Sequence, residues 1–86
     1  MNYAMGKKEK LIDRLKSKPK DFQWNNAAAL LQHFGYECVK SSGSRRKFFN
    51  RKTGAKIFIH EPHPGSILKE YQVNDILSHL KEQGYI

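Results

Sequence analysis

The chain has 86 residues, 38% of them hydrophobic, and carries sixteen Lys and Arg against eight Asp and Glu, a formal charge of +8. That length leaves room for one core and excludes two, while an apolar share of this size, rich in Phe and Tyr, excludes a disordered tail. A field of that sign on so small a body attracts polyanions, so nucleic acid is the first partner to consider; the plainer alternative is Lys kept for solubility.

The single Cys38 excludes an intramolecular disulfide framework and a Cys-based zinc cluster. Its place in an apolar stretch predicts a buried thiol rather than a nucleophile, in keeping with a reducing cytoplasm. No apolar run approaches the roughly 18 residues of a membrane span, and the first residues lack the apolar segment of a secretory signal. Residues 1–5 are expected to be a short leader.

From Lys7 to Ser17, Leu11, Ile12 and Leu15 fall on one side of a helical wheel and mostly Lys on the other, the pattern of a short amphipathic helix that Pro19 ends. Phe22 and Trp24 follow and are expected to dock on the core. Asn25 or Asn26 is placed to cap a second helix, in which Ala27, Leu30, Leu31 and Phe34 keep helical spacing until Gly35 stops it.

The chemistry then changes to β-branched and aromatic residues cut by turn signals, predicting strands at Tyr36 to Ser41, Arg45 to Arg51 and Lys56 to Glu61. Ser42-Gly43-Ser44 and Lys52-Thr53-Gly54 are short enough to require antiparallel neighbours, hence a meander. His60-Glu61-Pro62-His63-Pro64-Gly65 reads as a shaped loop, because proline cannot donate to a ladder and restricts the residue before it. From about Glu70, Val73, Ile76, Leu77 and Leu80 mark a last helix, with Gly84 beyond its end. The expected fold is α+β: an extra N-terminal helix, then α-β-β-β-α, the helices covering one face of a three-stranded antiparallel sheet and leaving the other to water or a ligand.

Between Cys38 and His60 stand Lys40, Arg45, Arg46, Lys47, Arg51, Lys52 and Lys56 with no acidic residue, interleaved with Phe48, Phe49 and Phe58. Cations spaced along adjacent strands can meet several phosphates, and Arg adds a planar fork for phosphate oxygens; an edge hairpin kept from aggregating by charge is the competing explanation. Ser44 at the hairpin mouth can donate to an oxyanion, although a Gly-Ser turn is also ordinary hairpin material. His60 and His63 flank Pro62, where a His can act as base or acid near neutral pH. RNA cleavage without a metal needs only such a base for the 2′-hydroxyl proton and cations for the charged phosphorane. A metal site is disfavoured, with Glu61 the one visible third ligand. His33 and His79 fall on helices as surface or packing residues, and Tyr71, Tyr85 and Ile86 are expected in the core or against a partner.

The helix ending in Phe34-Gly35-Tyr36, the Gly43-Ser44 pair opening a strand that carries Phe48, the loop His63-Pro64-Gly65, and Leu68 leading to a helix with Ile76-Leu77 and Gly84 together resemble the HicA toxin family. The likeness runs from about Trp24 to Ile86, dividing the chain into a leader with an extra helix (1–21) and a HicA-like domain (22–86). The resemblance implies a double-stranded-RNA-binding-like fold, an mRNA interferase that needs no cofactor, and two partners: mRNA and a HicB-like antitoxin. It also implies a departure, because the family's Gly-Ser-His motif, whose His is catalytic, here reads Gly43-Ser44-Arg45. The second family His, in the loop before the last helix, is matched by His63, and His60 is an additional candidate.

Arg45 cannot serve as a base, since its pKa lies above about 12. The expected site is therefore His60 and His63 for catalysis, with Ser44, Arg45, Arg46, Lys47, Arg51 and Lys56 for RNA. Two alternatives stand beside the enzyme: an RNA-binding module of the same fold that has lost cleavage, and an interaction protein whose basic face docks an acidic partner.

Overall fold

The computed structural model describes residues 6–86; the leader expected at residues 1–5 lies outside them. The elements run α1 (Lys7–Lys16), α2 (Trp24–His33), β1 (Tyr36–Lys40), β2 (Arg45–Asn50), β3 (Lys56–His60) and α3 (Glu70–Glu82). The strands form an antiparallel sheet in the order β1-β2-β3, so the α+β meander expected from the turn signals is the fold observed.

Side-chain alternation sorts the sheet into two faces. Tyr36 pairs with Asn50, Cys38 with Phe48, and Phe48 with Ile57; these share the face that α2 and α3 cover. Phe48 is fully buried there and meets Trp24 with ring centroids 5.6 Å apart. The apolar stripes of α2 (Ala27, Leu30, Leu31) and α3 (Val73, Ile76, Leu77, Leu80) close over it. Burying a side chain such as Phe48 contributes roughly 1.5–3 kcal/mol, so these positions dominate the stability of so small a domain. Helix α1 packs against α2 and α3 and adds Leu11 and Leu15 to the same core, with Ile12 half-buried. The N-terminal helix is thus a structural layer of the domain.

Two local expectations are corrected. The second helix begins at Trp24, ahead of both Asn: Gln23 is the N-cap, without a side-chain cap bond, and Asn25 and Asn26 lie inside the first turn. A long-range pairing sets that start. The Trp24 N–H donates to the Ser66 carbonyl at 2.7 Å and the Leu68 N–H to the Phe22 carbonyl at 2.9 Å, a short antiparallel bridge that ties the α1–α2 connection to the segment before α3. Cys38, expected to be buried, is exposed, because β1 is an outer strand and one flank of the thiol is open. Its sulfur is still partly desolvated, which, ahead of an opposing Arg46 and a reinforcing Glu61, pushes the thiol pKa up and leaves it a poor nucleophile.

At the β2–β3 turn end of the sheet, buried Asn50 donates to the Phe34 carbonyl (3.0 Å) and the Tyr85 hydroxyl (3.2 Å) and accepts from the Lys52 N–H (2.9 Å). Gly35 packs beside Asn50 at φ +94°, a left-handed conformation that side chains with a Cβ rarely adopt. This polar knot fixes the turn-bearing end and leaves the opposite end, where β1 meets β2 and β3 terminates, free to form a groove.

Candidate functional site

The open sheet face presents its residues in rows. Glu37, Phe49 and Lys56 form one, Val39, Lys47 and Phe58 the next, and Arg45 pairs with His60 at the end. The Arg45 guanidinium lies 4.1 Å from the centre of the Phe58 ring, and the Lys47 ammonium 5.5 Å from that of Phe49. Cations held over aromatic faces keep their charge toward solvent while their stems cover apolar surface.

Two of the expected cations are placed elsewhere. Arg46 is on the covered face with its side chain only 15% exposed, 3.1 Å from Glu61 and donating to the Gly43 carbonyl at 2.8 Å. Arg51 follows β2 and pairs with Glu37 at 2.6 Å. The basic run contains no acid of its own, but the acids that flank it reach both of these arginines. Arg45, Lys47 and Lys56 remain outside any ion pair among the described residues.

Past the Arg45–His60 pair the surface opens into a groove of about 370 Å³. Ser44, His60 and His63 all line it, so side chains 19 positions apart in sequence converge. The Ser44 oxygen lies 3.1 Å from His60 Nδ1, a hydrogen bond in which the hydroxyl can donate or accept. The backbone fixes this contact: the Glu61 N–H donates to the Ser44 carbonyl at 2.8 Å, prolonging the ladder past the last strand residue. Gly43, at φ +56°, makes the tight turn that delivers Ser44 to this position. With Nδ1 engaged, Nε2 is the ring nitrogen of His60 without a hydrogen-bond partner among the described residues.

Gln72 supports the arrangement from below. It is buried, donates to the His60 carbonyl at 2.8 Å, and accepts the Lys69 N–H at 2.9 Å, so it caps α3 and locks the end of β3 to it. Lys69, Ile67 and Tyr71 complete the wall. None of these belonged to the expected site. Lys69 stands outside the dense basic run, and Gln72 carries no signal separating it from any polar residue in a helix. Tyr71, expected in the core or against a partner, is 56% exposed, as are Ile67 (42%) and Phe58 (40%) to a lesser degree, so three large apolar side chains gather around His60.

Glu61, the third ligand a His60–His63 metal site would need, faces Arg46 instead. Among the described residues no group of three or more His, Cys, Asp or Glu is arranged to hold a metal ion. Of the remaining histidines, His79 is a packing residue, its Nε2 2.6 Å from the Tyr36 hydroxyl at the opposite end of the sheet, while His33 is exposed at the last residue of α2. No helix is long and apolar enough to cross a membrane among the described residues.

No curated protein and no solved structure matches the chain. Residues 24–84 match the family described as HicA toxin of bacterial toxin-antitoxin. The matched span starts at the first residue of α2, takes in the whole sheet and the groove, and ends at Gly84 beyond α3; the chain belongs to the HicA toxin family.

Proposed function

We propose that this toxin is an endoribonuclease that binds mRNA on its open sheet face and cleaves it in the adjoining groove without a metal ion, under the restraint of a HicB-like antitoxin in the cytoplasm. The Ser44–His60 contact carries this reading. If Nδ1–H of His60 donates to the Ser44 hydroxyl, Nε2 is left with its lone pair free, the form a general base requires. It takes the proton of a ribose 2′-hydroxyl, whose oxygen attacks the adjacent phosphorus. The 5′-oxygen of the next nucleotide leaves with a proton from His63, and a 2′,3′-cyclic phosphate remains. Lys69 in the groove and Arg45, the cross-strand neighbour of His60, offer positive charge to the phosphorane. Lys47 and Lys56, free of ion pairs among the described residues, extend a phosphate track across the sheet.

A second reading is favoured by one residue. Arg45 stands where the family's motif has its catalytic His, and a guanidinium stacked on Phe58 is suited to holding RNA rather than to moving a proton. On this reading the domain is a binder that has lost cleavage.

Incubating labelled mRNA with the protein in EDTA, beside His60→Ala and His63→Ala, separates the two. Cleavage by the wild type that either substitution removes supports the nuclease. RNA that is retarded on a gel but stays whole supports the binder, and cleavage that survives both substitutions shows that neither His is the base.

A further inference from the structure

Beside the groove, at the free edge of β3, a narrower cleft separates Phe58 from Tyr71, with Gln72 and Asp75 lining it and His60 at its boundary. Both aromatic residues are large and exposed, at 40% and 56%. The cleft itself holds only about 50 Å³, too little for a base, but a large exposed ring at its mouth is a surface on which an unpaired nucleobase can stack. Arg45 already covers one face of Phe58, 4.1 Å from the ring centre, so the more open ring is that of Tyr71, one helical turn before Asp75 on α3.

Asp75 gives the cleft an edge-reading group. It is exposed, it belongs to none of the ion pairs among the described residues, and it is the sixth residue of α3, beyond the turn in which an acid is stabilised by the helix N-terminus. A carboxylate in that position repels phosphates. It attracts N–H groups on a base edge, and guanine alone offers two parallel donors, N1–H and N2–H, that fit the two oxygens of one carboxylate.

We infer that the mouth of the Phe58–Tyr71 cleft is a base-specificity site that takes one unpaired guanine of a single-stranded RNA, stacked on Tyr71 and read by Asp75, next to the phosphate presented to His60. This rests on the proposal that the chain binds RNA, and it adds the class of strand and the preferred base.

The test uses the whole chain and short 2′-O-methyl oligouridylates carrying one central guanosine, inosine or adenosine. These lack the 2′-hydroxyl nucleophile and cannot be cleaved, so affinity is read independently of catalysis. Wild type is expected to bind the guanosine strand about tenfold more tightly than the inosine strand, which lacks only the 2-amino donor. Asp75→Asn is expected to erase that gap, and Tyr71→Ala to weaken all three strands by about fivefold or more. Equal affinities in the wild type, a gap that persists in Asp75→Asn, or no binding of any strand overturns the guanine site. Ordinary RNA cut without base preference, alongside equal affinities, leaves the nuclease standing and removes the guanine site; a guanosine gap with ordinary RNA left whole does the reverse.

Discussion

The Ser44 hydroxyl holds His60 through Nδ1 at 3.1 Å, and the backbone that places Ser44 is bonded to the residue after His60. On the proposed mechanism the serine acts through the ring it orients, so the two side chains should fail unequally. Removing the proposed base in His60→Ala is expected to lower RNA cleavage by about 10²–10⁴-fold. Removing the hydrogen bond in Ser44→Ala is expected to cost about three- to tenfold, the worth of one neutral bond. Single-turnover cleavage with a labelled RNA checks both; equal losses would mean that Ser44 contacts the RNA itself.

Charge on the two sheet faces should separate in a salt titration. Lys47 and Lys56 face open solvent without an ion pair among the described residues, whereas Arg46 is covered and neutralised by Glu61. Deleting one cation that neutralises a phosphate of a single strand reduces the slope of log affinity against log salt by about 0.7. Lys47→Gln and Lys56→Gln are each expected to show that reduction. Arg46→Gln is expected to leave the slope unchanged and to lower the melting temperature instead, because it strands Glu61 and the Gly43 carbonyl.

The split between Arg45, Arg46 and Lys47 also marks where sequence reading runs out. Alternation assigns faces only when the inward residue is known, and Phe48 and Phe49 offered two equal candidates. Phe48 is inward, which turns Arg46 with it and sends Arg45 and Lys47 outward. The helices were legible because their apolar residues repeat, and the strands because short turns bound them. The bridge between Phe22–Trp24 and Ser66–Leu68 was not, since two ordinary loop segments more than 40 residues apart give no local sign that they pair. His60 and His63 were visible as candidates; the partnership of His60 with Ser44 was not, because it depends on the register of β2 against β3.

Gln72 joins the groove to the last helix, so its loss should damage stability and cleavage together while sparing the phosphate track. In Gln72→Leu the shape is roughly kept, but the His60 carbonyl and the Lys69 N–H go without their partner. An unsatisfied buried group costs about 1–3 kcal/mol. At about 4–8 °C per kcal/mol for a domain of this size, a fall in melting temperature of that order or more is expected. Cleavage should fall as well, and the salt slope of binding should stay. A variant that melts early but cleaves at the wild-type rate when folded would separate Gln72 from the site.

Helix α1 lies before residue 24, where the family match begins, yet Leu15 is fully buried and Leu11 nearly so. Leu15→Ala should therefore cost about 2–5 kcal/mol, a large share of what so small a domain holds. Denaturant unfolding measures this directly. Replacing the exposed Lys7 and Lys10 by Gln on the same helix is expected to leave stability unchanged, which distinguishes the packed face from the charged one.

The Tyr36–His79 hydrogen bond makes the far end of the sheet sensitive to acid. In the folded chain His79 is held below its ordinary value of 6.5, chiefly by burial, with Glu82 partly opposing. With the neutral ring's proton on Nδ1, Nε2 accepts the Tyr36 O–H; a protonated ring would have to donate there, in surroundings that disfavour its charge. Because the folded value is the lower one, the unfolded chain binds more protons between the two. The contribution of His79 to stability is thus complete above about pH 6.5 and is lost as the pH falls through the folded value. The melting temperature is expected to drop between about pH 7.5 and pH 5.5, and His79→Gln, which keeps an acceptor for Tyr36 but cannot titrate, should flatten that stretch of the curve. Parallel curves for the two proteins would assign the acid sensitivity to other groups.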